Sequence, residues 1–373
     1  MDIERARRVR HDIVRVCHSG LDSVSLGLAA ERLLRSVVPF DFSCWHNVDP
    51  ATSMLTSVIG EAPPDHPLLP VLEYGSSDVN QYADLARGKT TVAALRQATN
   101  DRPQSSQRFR EILCPMAIED ELTASFVINS TFWGCARLYR SREWPPFDSV
   151  EVAFVASLAP VLAEGFRTAL IAPGVEVSDA PDGPGVLVLD NRGQVESISA
   201  SAERWLRDVI DAPAIDAGLL PRPIRAVEAR ARAIAVGSES PASVSRCCVP
   251  TRTGGWLVLH GTLQEGGPEG RIAVIVEPAH PPELAPLIVR AYGLTERECE
   301  VASYVLQGLP TKQIAVALGV SAYTVNDHLR AVFEKVSVNS RTELAARIFV
   351  DHYYPRIGRG DLVAGSGWFR GAE

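Results

Sequence analysis

Paired cysteines are missing from this chain. Its seven cysteines are scattered and odd in number, no CxxC occurs, and only Cys247 and Cys248 adjoin, so neither a disulfide framework nor a metal site is expected. Free cysteines usually serve as small buried hydrophobes, and two neighbours in a strand face opposite sides of a sheet. Membrane signals are missing as well. The opening stretch MDIERARRVRHDIVRVCHSG alternates charge with apolar residues at helical spacing and has no apolar signal-peptide core. On this reading no apolar run is long enough to cross a bilayer, and a cytoplasmic protein without membrane contact is expected. Catalytic motifs are absent too: neither HExxH nor GxSxG occurs. ARGKTTV, at 86–92, resembles a phosphate loop only until the glycine five residues before Gly88 is sought, where the chain has Ala83. No enzyme, no catalytic residue and no cofactor are expected. Positive charge is in deficit, with 37 Lys and Arg against 45 Asp and Glu giving a formal net charge of -8.

What remains is ordinary globular protein, 46% hydrophobic and 22% charged, in a chain of 373 residues that is too long for one core. A first helix is predicted from Ile3 to Val16, with Ile3, Ala6, Val9, Ile13 and Val16 near helical period. LGLAAERLLRSVV supplies a second. FDFSCWHNV and SMLTSVIG then read as strands around the turn residues DPAT, followed by strands in TASFVINS and FWGCARLYRS and a closing helix in FDSVEVAFVASLAPVLAEGFRTALI. This order, the WGCARLYR strand and the closing helix resemble a GAF sensor domain, a small sheet with helices on one side. Trp45, His46, Cys114, Phe126 and Trp133 are candidates to line a sensor pocket for an unknown small-molecule effector; the plainer reading of each is a core residue.

A stretch rich in Pro, Gly and Asp, APGVEVSDAPDGPG, reads as a linker. Beyond it come GVLVLDNRGQVESIS, two apolar runs around the turn DNRG, then a short helix in SAERWLRDV, and later the strand pair GGWLVLHGTL and GRIAVIVEP. The pattern is similar to a PAS-type sensor fold.

From Leu284 the character is helical. LTERECEVASYVLQG opens with Thr295 three residues before Glu298, a capping box that satisfies amides at a helix start, and Gly308 ends the helix. PTKQIAVALGVS yields a short helix with Ile314, Ala315 and Leu318 on one face and Gly319 at a sharp turn. Ser321 caps a third helix whose Val325, Leu329, Val332 and Val336 form a stripe at spacings of four, three and four. SRTELAARIFV opens with a second box, Ser340 to Glu343.

Short helices with a glycine turn between the second and third make a helix-turn-helix, the unit that lays its later helix in the DNA major groove. LTERECEV, Gly308, IAVALGVSAYTVNDHL, VFEKV and SRTEL together resemble the LuxR-type DNA-binding domain. The fold class implied is multidomain: an α+β GAF-like domain over 1–172, an α+β PAS-like domain over 173–283, an all-α four-helix LuxR-type domain over 284–352, and a tail over 353–373. The resemblance implies a one-component transcriptional regulator whose partners are double-stranded DNA at an imperfect palindrome, a second copy of itself and RNA polymerase. It places Asn326, Asp327 and Arg330 toward bases, where many members have a basic residue at the position of Asn326. Thr311, Lys312, Ser321, Tyr323 and Thr324 are candidates for backbone phosphates, each with a cap or turn role as its alternative. Lys335 could touch phosphate or be structural, and His328 reads as packed.

Between Arg290 and Val350 seven basic residues face six acidic ones, so the acidity lies mainly upstream. Glu298 and Glu343 serve helix N-termini, and a modest DNA affinity is expected, with a shallower salt dependence than that of a strongly basic binder. Asp327 either pairs as a solvated charge with Arg330, or orients its guanidinium toward a guanine or itself accepts from a cytosine amino group. In the last helix Leu344 and Ile348 share one face with Ala345 and Phe349 beside them; the helix is too short to bury both pairs in its own core, so this set is expected to supply a dimer contact. The chain does not open with the strand and acidic pair of a receiver domain, so control by a kinase is not expected. The competing reading is a small-molecule or protein-binding module with weak DNA affinity, its sensor folds serving only to dimerise or bind a partner.

Overall fold

The computed structural model describes residues 2–352 apart from 61–65, 67, 171–182, 211–219, 241–242, 253–254, 265–269, 280–286 and 288. The residues of the linker at 172–182 and the tail at 353–373 therefore lie outside the described residues. The chain divides into two compact units, one of residues 1–179 with 183–278 and one of 180–182 with 279–373.

In the first unit, helix α1 (Ile3–Cys17) starts where Asp2 accepts from the Glu4 amide, and α2 (Ser23–Arg35) where Asp22 accepts from Val24 and Ser25. These caps satisfy amides that no helical carbonyl can reach. Strands β1 (Phe42–Asp49), β2 (Met54–Leu55), β3 (Val92–Ala94), β4 (Ile118–Ile128) and β5 (Thr131–Ser141) form an antiparallel sheet in the order β2-β1-β5-β4-β3. Of SMLTSVIG only Met54 and Leu55 become strand, with a single bridge from Ile59 to Trp45. Short helices α3 (Leu68–Tyr74), α4 (Tyr82–Arg87) and α5 (Leu95–Ala98) come between β2 and β4.

Helix α6 (Ser149–Ala169) begins with a capping box in which Asp148 and Glu151 exchange side-chain and backbone bonds. Contrary to the sequence expectation, it is long and apolar enough to cross a membrane. Here it is a core helix, burying Val155, Leu158, Leu162 and Phe166 and packing on β4 and β5. Gly134 admits it: a Cβ there would lie 2.9 Å from the Phe166 ring and 3.0 Å from the His46 carbonyl. Trp45, Phe126 and Phe166 form an aromatic row with centroid spacings of 5.6 and 5.5 Å.

Strand pairing then assigns the opposite face. Register sets Cys44 beside Arg137, His46 beside Cys135, and Glu121 beside Tyr139. Because side chains alternate, these six share the face turned away from the aromatic row.

A second antiparallel sheet follows, formed by β6 (Gly185–Leu189), β7 (Val195–Ile198), β8 (Arg246–Pro250), β9 (Trp256–Leu263) and β10 (Ile272–Pro278) in the order β7-β6-β10-β9-β8, with α7 (Ala200–Arg207) and α8 (Arg222–Ala235). Cys247 and Cys248 are both buried in β8. The two sheets share one apolar cluster, in which Leu55, Tyr74 and Cys135 join Ile224, Val227 and Leu259. Polar links cross the same seam: the Cys248 amide donates to Asp49 at 2.9 Å and Arg230 donates to the Thr52 carbonyl at 2.6 Å. Segments that a linker separates in sequence thus share a core.

The second unit holds α9 (Glu296–Leu306), α10 (Thr311–Leu318), α11 (Ala322–Val336) and α12 (Arg341–His352) among its described residues. The Thr295–Glu298 capping box is made in both directions. Gly319, at φ +64°, turns the chain from α10 into α11. Ser321 caps α11 through the Thr324 amide at 3.0 Å. Ser340 accepts from Glu343, but the Glu343 carboxylate reaches back to the Asn339 amide rather than to Ser340. Val301, Val305, Ile314, Val325, Val332 and Leu344 are buried between the helices.

Candidate nucleic-acid interface and sensor pocket

The stripe of Val325, Leu329, Val332 and Val336 turns inward, and this orients everything else on α11. Asn326, Asp327 and Arg330 are consequently exposed together. Asn326 and Arg330 stand on the wall of an open cleft of about 540 Å³, with Phe333 and Asn339. No ion pair joins Asp327 to Arg330, so the pairing expected from their spacing is not made in the free chain. Lys312 and Tyr323 are exposed, and Tyr323 at 76% and Val316 at 83% are the most exposed large apolar side chains among the described residues of this unit. His328 is half-buried beside the stripe.

Three of the expected contact residues already hold partners. Lys335 donates to Glu298 at 2.6 Å, tying α11 to the start of α9. Burial alone would raise the Glu298 carboxyl, but Lys335 and the Thr295 bonds hold it below the usual range. Of the two roles weighed for Lys335, the structural one is thus occupied in this structure. Thr311 accepts from Arg341 at 2.7 Å, while the same guanidinium donates to the Leu309 carbonyl at 2.8 Å, fixing α12 to the turn before α10. Ser321 is occupied as a cap.

The proposed dimer set divides. Leu344, 0% exposed, and Ile348, 4%, are core, whereas Ala345 is exposed; the side chain of Phe349 lies outside the described residues. The i, i+4 pair meets the unit's own helices, so Leu344 and Ile348 are removed from any surface contact.

In the first unit the sensor candidates separate as well. Trp45 and Phe126 lie in the aromatic row, Trp133 is 3% exposed in the core, and Cys114 is exposed at the end of a π turn, Phe109–Leu113. Of these candidates only His46 lines a cavity on the opposite face of the sheet. Sequence reading missed its principal residues: Glu73, Tyr82, Arg137 and Tyr139, with Arg222 and Ala226 contributed by α8. A signal was available, since in WGCARLYR an arginine and a tyrosine alternate in phase with a cysteine inside an otherwise apolar strand.

Charge beneath this cavity is arranged in pairs. Arg137, 6% exposed, donates to Glu73 at 2.8 Å and stacks 4.1 Å over the Tyr82 ring. Arg108 grips Glu121 with two bonds of 2.8 and 3.2 Å, and both side chains are essentially inaccessible. Burial pushes the Glu73 carboxyl up against the pull of Arg137 and Arg108, while the same arginines outweigh burial at Glu121 and hold it down. Burial, with Arg222 and Arg137 nearby, lowers the His46 imidazole to about 3, so the ring is neutral. Its Nδ1 lies 2.8 Å from the Ser57 carbonyl, which can only accept; the proton is therefore on Nδ1 and Nε2 carries a lone pair.

Residues 293–348, the α9 to α12 region, match GerE, the family of bacterial regulatory proteins called the luxR family. The C-terminal unit carries a luxR-family domain. Transcriptional regulatory protein UhpA of Escherichia coli (strain K12) is 45% identical over 56 residues, 15% of this chain and 29% of that protein. Nitrate/nitrite response regulator protein NarP, also of Escherichia coli (strain K12), is 48% identical over 48 residues, 13% of this chain and 22% of that protein. The chain spans less than a third of the length of the curated relatives it matches. These relatives are regulators and not enzymes. Outside the luxR-family domain the likeness is shallow. The VqsR LBD domain from Pseudomonas aeruginosa aligns with 43% of this chain and 95% of its own at 12% identity and a TM-score of 0.32. The GAF domain/HD domain protein from Geobacter sulfurreducens aligns with 40% of this chain and 92% of its own at 19% identity and a TM-score of 0.26. The first unit is a mixed α+β region with two sheets.

Proposed function

We propose that this protein is a one-component transcriptional regulator that binds double-stranded DNA through the luxR-family domain, and that the two-sheet unit modulates that binding. The observation that carries the reading is the joint exposure of Asn326, Asp327 and Arg330 on α11, the helix whose apolar stripe is buried behind them. An exposed arginine on such a helix can make a bidentate contact to guanine in the major groove. Asn326 and Asp327 flank it as further base contacts. Lys312, Tyr323, Thr324, Thr311 and Ser321 lie on or before the first turns of α10 and α11, where amides point outward and phosphate is favoured.

The proposal includes a homodimer on an imperfect palindrome, with the two α11 helices about one DNA turn apart. Its surface on α12 is the exposed side with Thr342, Ala345 and Ala346 rather than Leu344 and Ile348. Small residues permit close approach of two helices there. RNA polymerase and a small-molecule effector are the further partners proposed, and a DNA-binding role implies work in the cytoplasm. A GAF-like first sheet and a PAS-like second one remain the proposed assignments, with 1–172, 173–283, 284–352 and the tail 353–373 as the segments. Selection of bound sequences from a random duplex pool by the full chain tests the reading. Recovery of a palindromic motif supports it, and enrichment of no motif leaves only the competing reading, a ligand- or protein-binding module with weak DNA affinity.

A further inference from the structure

Helix α1 is a cationic element in an acidic chain. Over Ile3–Cys17 it carries five arginines against two acids, Glu4 and Asp12, while the whole chain has a formal net charge of -8. The fold uses only one side of this helix: Ala6, Val9, Ile13 and Cys17 are buried where it packs on α6 and α2. On the opposite side Arg8, His11 and Arg15 follow one another at spacings of three and four, Arg7 lies beside them, and all four are exposed. Neighbouring acids do not neutralise this row. Glu31 on α2 is held by Arg35 at 2.6 Å; on α6, Glu151 is held by Arg140 at 2.6 Å and Glu164 by Arg167. Arg5, Arg7, Arg8 and Arg10 make no ion pair among the described residues. Arg15 reaches only Asp12, and a pair so open to solvent is readily exchanged for another anion. Arg5 with Arg8, and Arg7 with Arg10, are like charges three apart, an arrangement that destabilises a helix. Nothing in the packing of α1 calls for them.

We propose that α1 is a second DNA-binding surface, one that takes the phosphate backbone of a duplex without regard to sequence. A planar guanidinium grips phosphate oxygens through two parallel bonds. Arg8 and Arg15 stand about 10 Å apart along the helix axis, and a duplex carries one charge per ~1.7 Å of its own axis, so several phosphates face the row at once. The luxR-family domain, with seven basic residues against six acidic ones between Arg290 and Val350, is short of such cations, and α1 supplies them from the other unit. An anionic membrane suits the helix less well. An interfacial helix buries an apolar face among lipid chains, and that face of α1 is already taken by α6 and α2, which leaves Ile3 alone exposed among its large apolar side chains.

This inference rests on the proposed DNA-binding function, and its test keeps the two apart. Affinity of the full-length chain for a selected duplex and for a scrambled one is measured by fluorescence anisotropy between about 50 and about 200 mM salt. The native chain is compared with the double variant Arg7→Gln and Arg8→Gln. A control, Arg102→Gln with Arg192→Gln, removes the same charge from exposed arginines elsewhere in the first unit. Gln is close to Arg in helix propensity, so the α1 variant should melt with the native chain. It should bind both duplexes more weakly by one common factor, keep the native preference between them, and show a salt slope shallower by about 2. Its deficit against the native chain should accordingly shrink roughly 10-fold from the low salt to the high. The control should keep the native slope. The site is overturned if the α1 variant keeps that slope, if the control loses as much, or if only the selected duplex is weakened. Vesicles of phosphatidylserine and phosphatidylcholine offer the other polyanion: sedimentation of the native chain with them, lost in the α1 variant while DNA binding is unchanged, would assign the row to a membrane instead. A native chain that binds neither duplex sinks the DNA-binding function together with this site, whereas DNA binding that the α1 variant fully retains sinks the site alone.

Discussion

Arg137 and Arg330 are the same residue type in the two units, and their surroundings make them opposites. Arg137 sits in the middle of β5, 6% exposed, held by Glu73 and stacked on Tyr82. Arg330 sits on α11, exposed, with no ion pair even to Asp327 three residues before it. A buried guanidinium whose partner is removed keeps its desolvation cost, so it secures the fold; an exposed one is available to a ligand. The comparison teaches that Arg137 is internal structure and Arg330 is surface chemistry. It also answers how an acidic chain can bind DNA: acidic groups such as Glu73 and Glu121 are neutralised inside the fold, and those at Glu298 and Glu343 cap helices.

The largest effect should come from breaking the buried side of the comparison. Glu121→Gln leaves Arg108 without its bidentate partner and should cost about 3–5 kcal/mol in urea unfolding of the first unit. A loss below about 1 kcal/mol would show that the pair behaves as a surface one. Next comes Leu344→Ala, which empties a fully buried position in the second unit and should cost ~2–5 kcal/mol of its stability. Ala345→Asp should leave that stability nearly unchanged while weakening binding to a full palindrome more than to a half-site. Equal binding of both DNAs by Ala345→Asp would remove α12 from the dimer contact.

On the exposed side, Arg330→Ala should leave the melting temperature unchanged and cost ~1–3 kcal/mol in affinity for the selected sequence, with preference lost at one position. Lys312→Ala should instead weaken all duplexes alike. Uniform losses from both substitutions would take Arg330 out of base reading.

A smaller effect concerns pH. The folded Glu298 carboxyl lies below its unfolded value, so its contribution is complete above the unfolded value, roughly 4.3, and is lost as pH falls through the folded one. Lys335 is about a third exposed, and solvent screening limits the pair to ~0–1 kcal/mol. Lys335→Met should flatten the acid limb of the second unit's stability curve accordingly. Smallest of all is Asp327→Asn, expected to shift affinity by a few tenths of a kcal/mol, on the scale of one surface charge. A gain shared by cognate and scrambled duplexes marks Asp327 as a plain repulsive charge; lost discrimination marks it as a positioning residue for Arg330.

Some of this was legible locally. Helix starts at Asp148, Thr295 and Ser321 were readable because a cap and its amide partner lie within three residues, and the inward stripe of α11 is a matter of period alone. Helix α8 was not anticipated: it begins after Pro221 with no side-chain cap and carries four arginines, Arg222, Arg225, Arg230 and Arg232, over a thin apolar face. A structural role for Lys335 was weighed, but its partner was not readable, because Glu298 lies 37 residues away on another helix.

The sequence by itself determined the helix-turn-helix region, the residues exposed on α11 and the alternation of the strands, since all of these depend on neighbours a few positions apart. Only the tertiary structure decided which face of the first sheet holds a cavity, that Trp45 and Phe126 belong to the other face, and that Leu344 rather than Ala345 is core. It alone joined the two sheets through α8 and matched Arg137 to Glu73 across 64 positions of chain. Burial and charge pairing depend on which distant segments meet, and a linear pattern carries the tendency of each residue to be buried without naming the partner that makes burial tolerable.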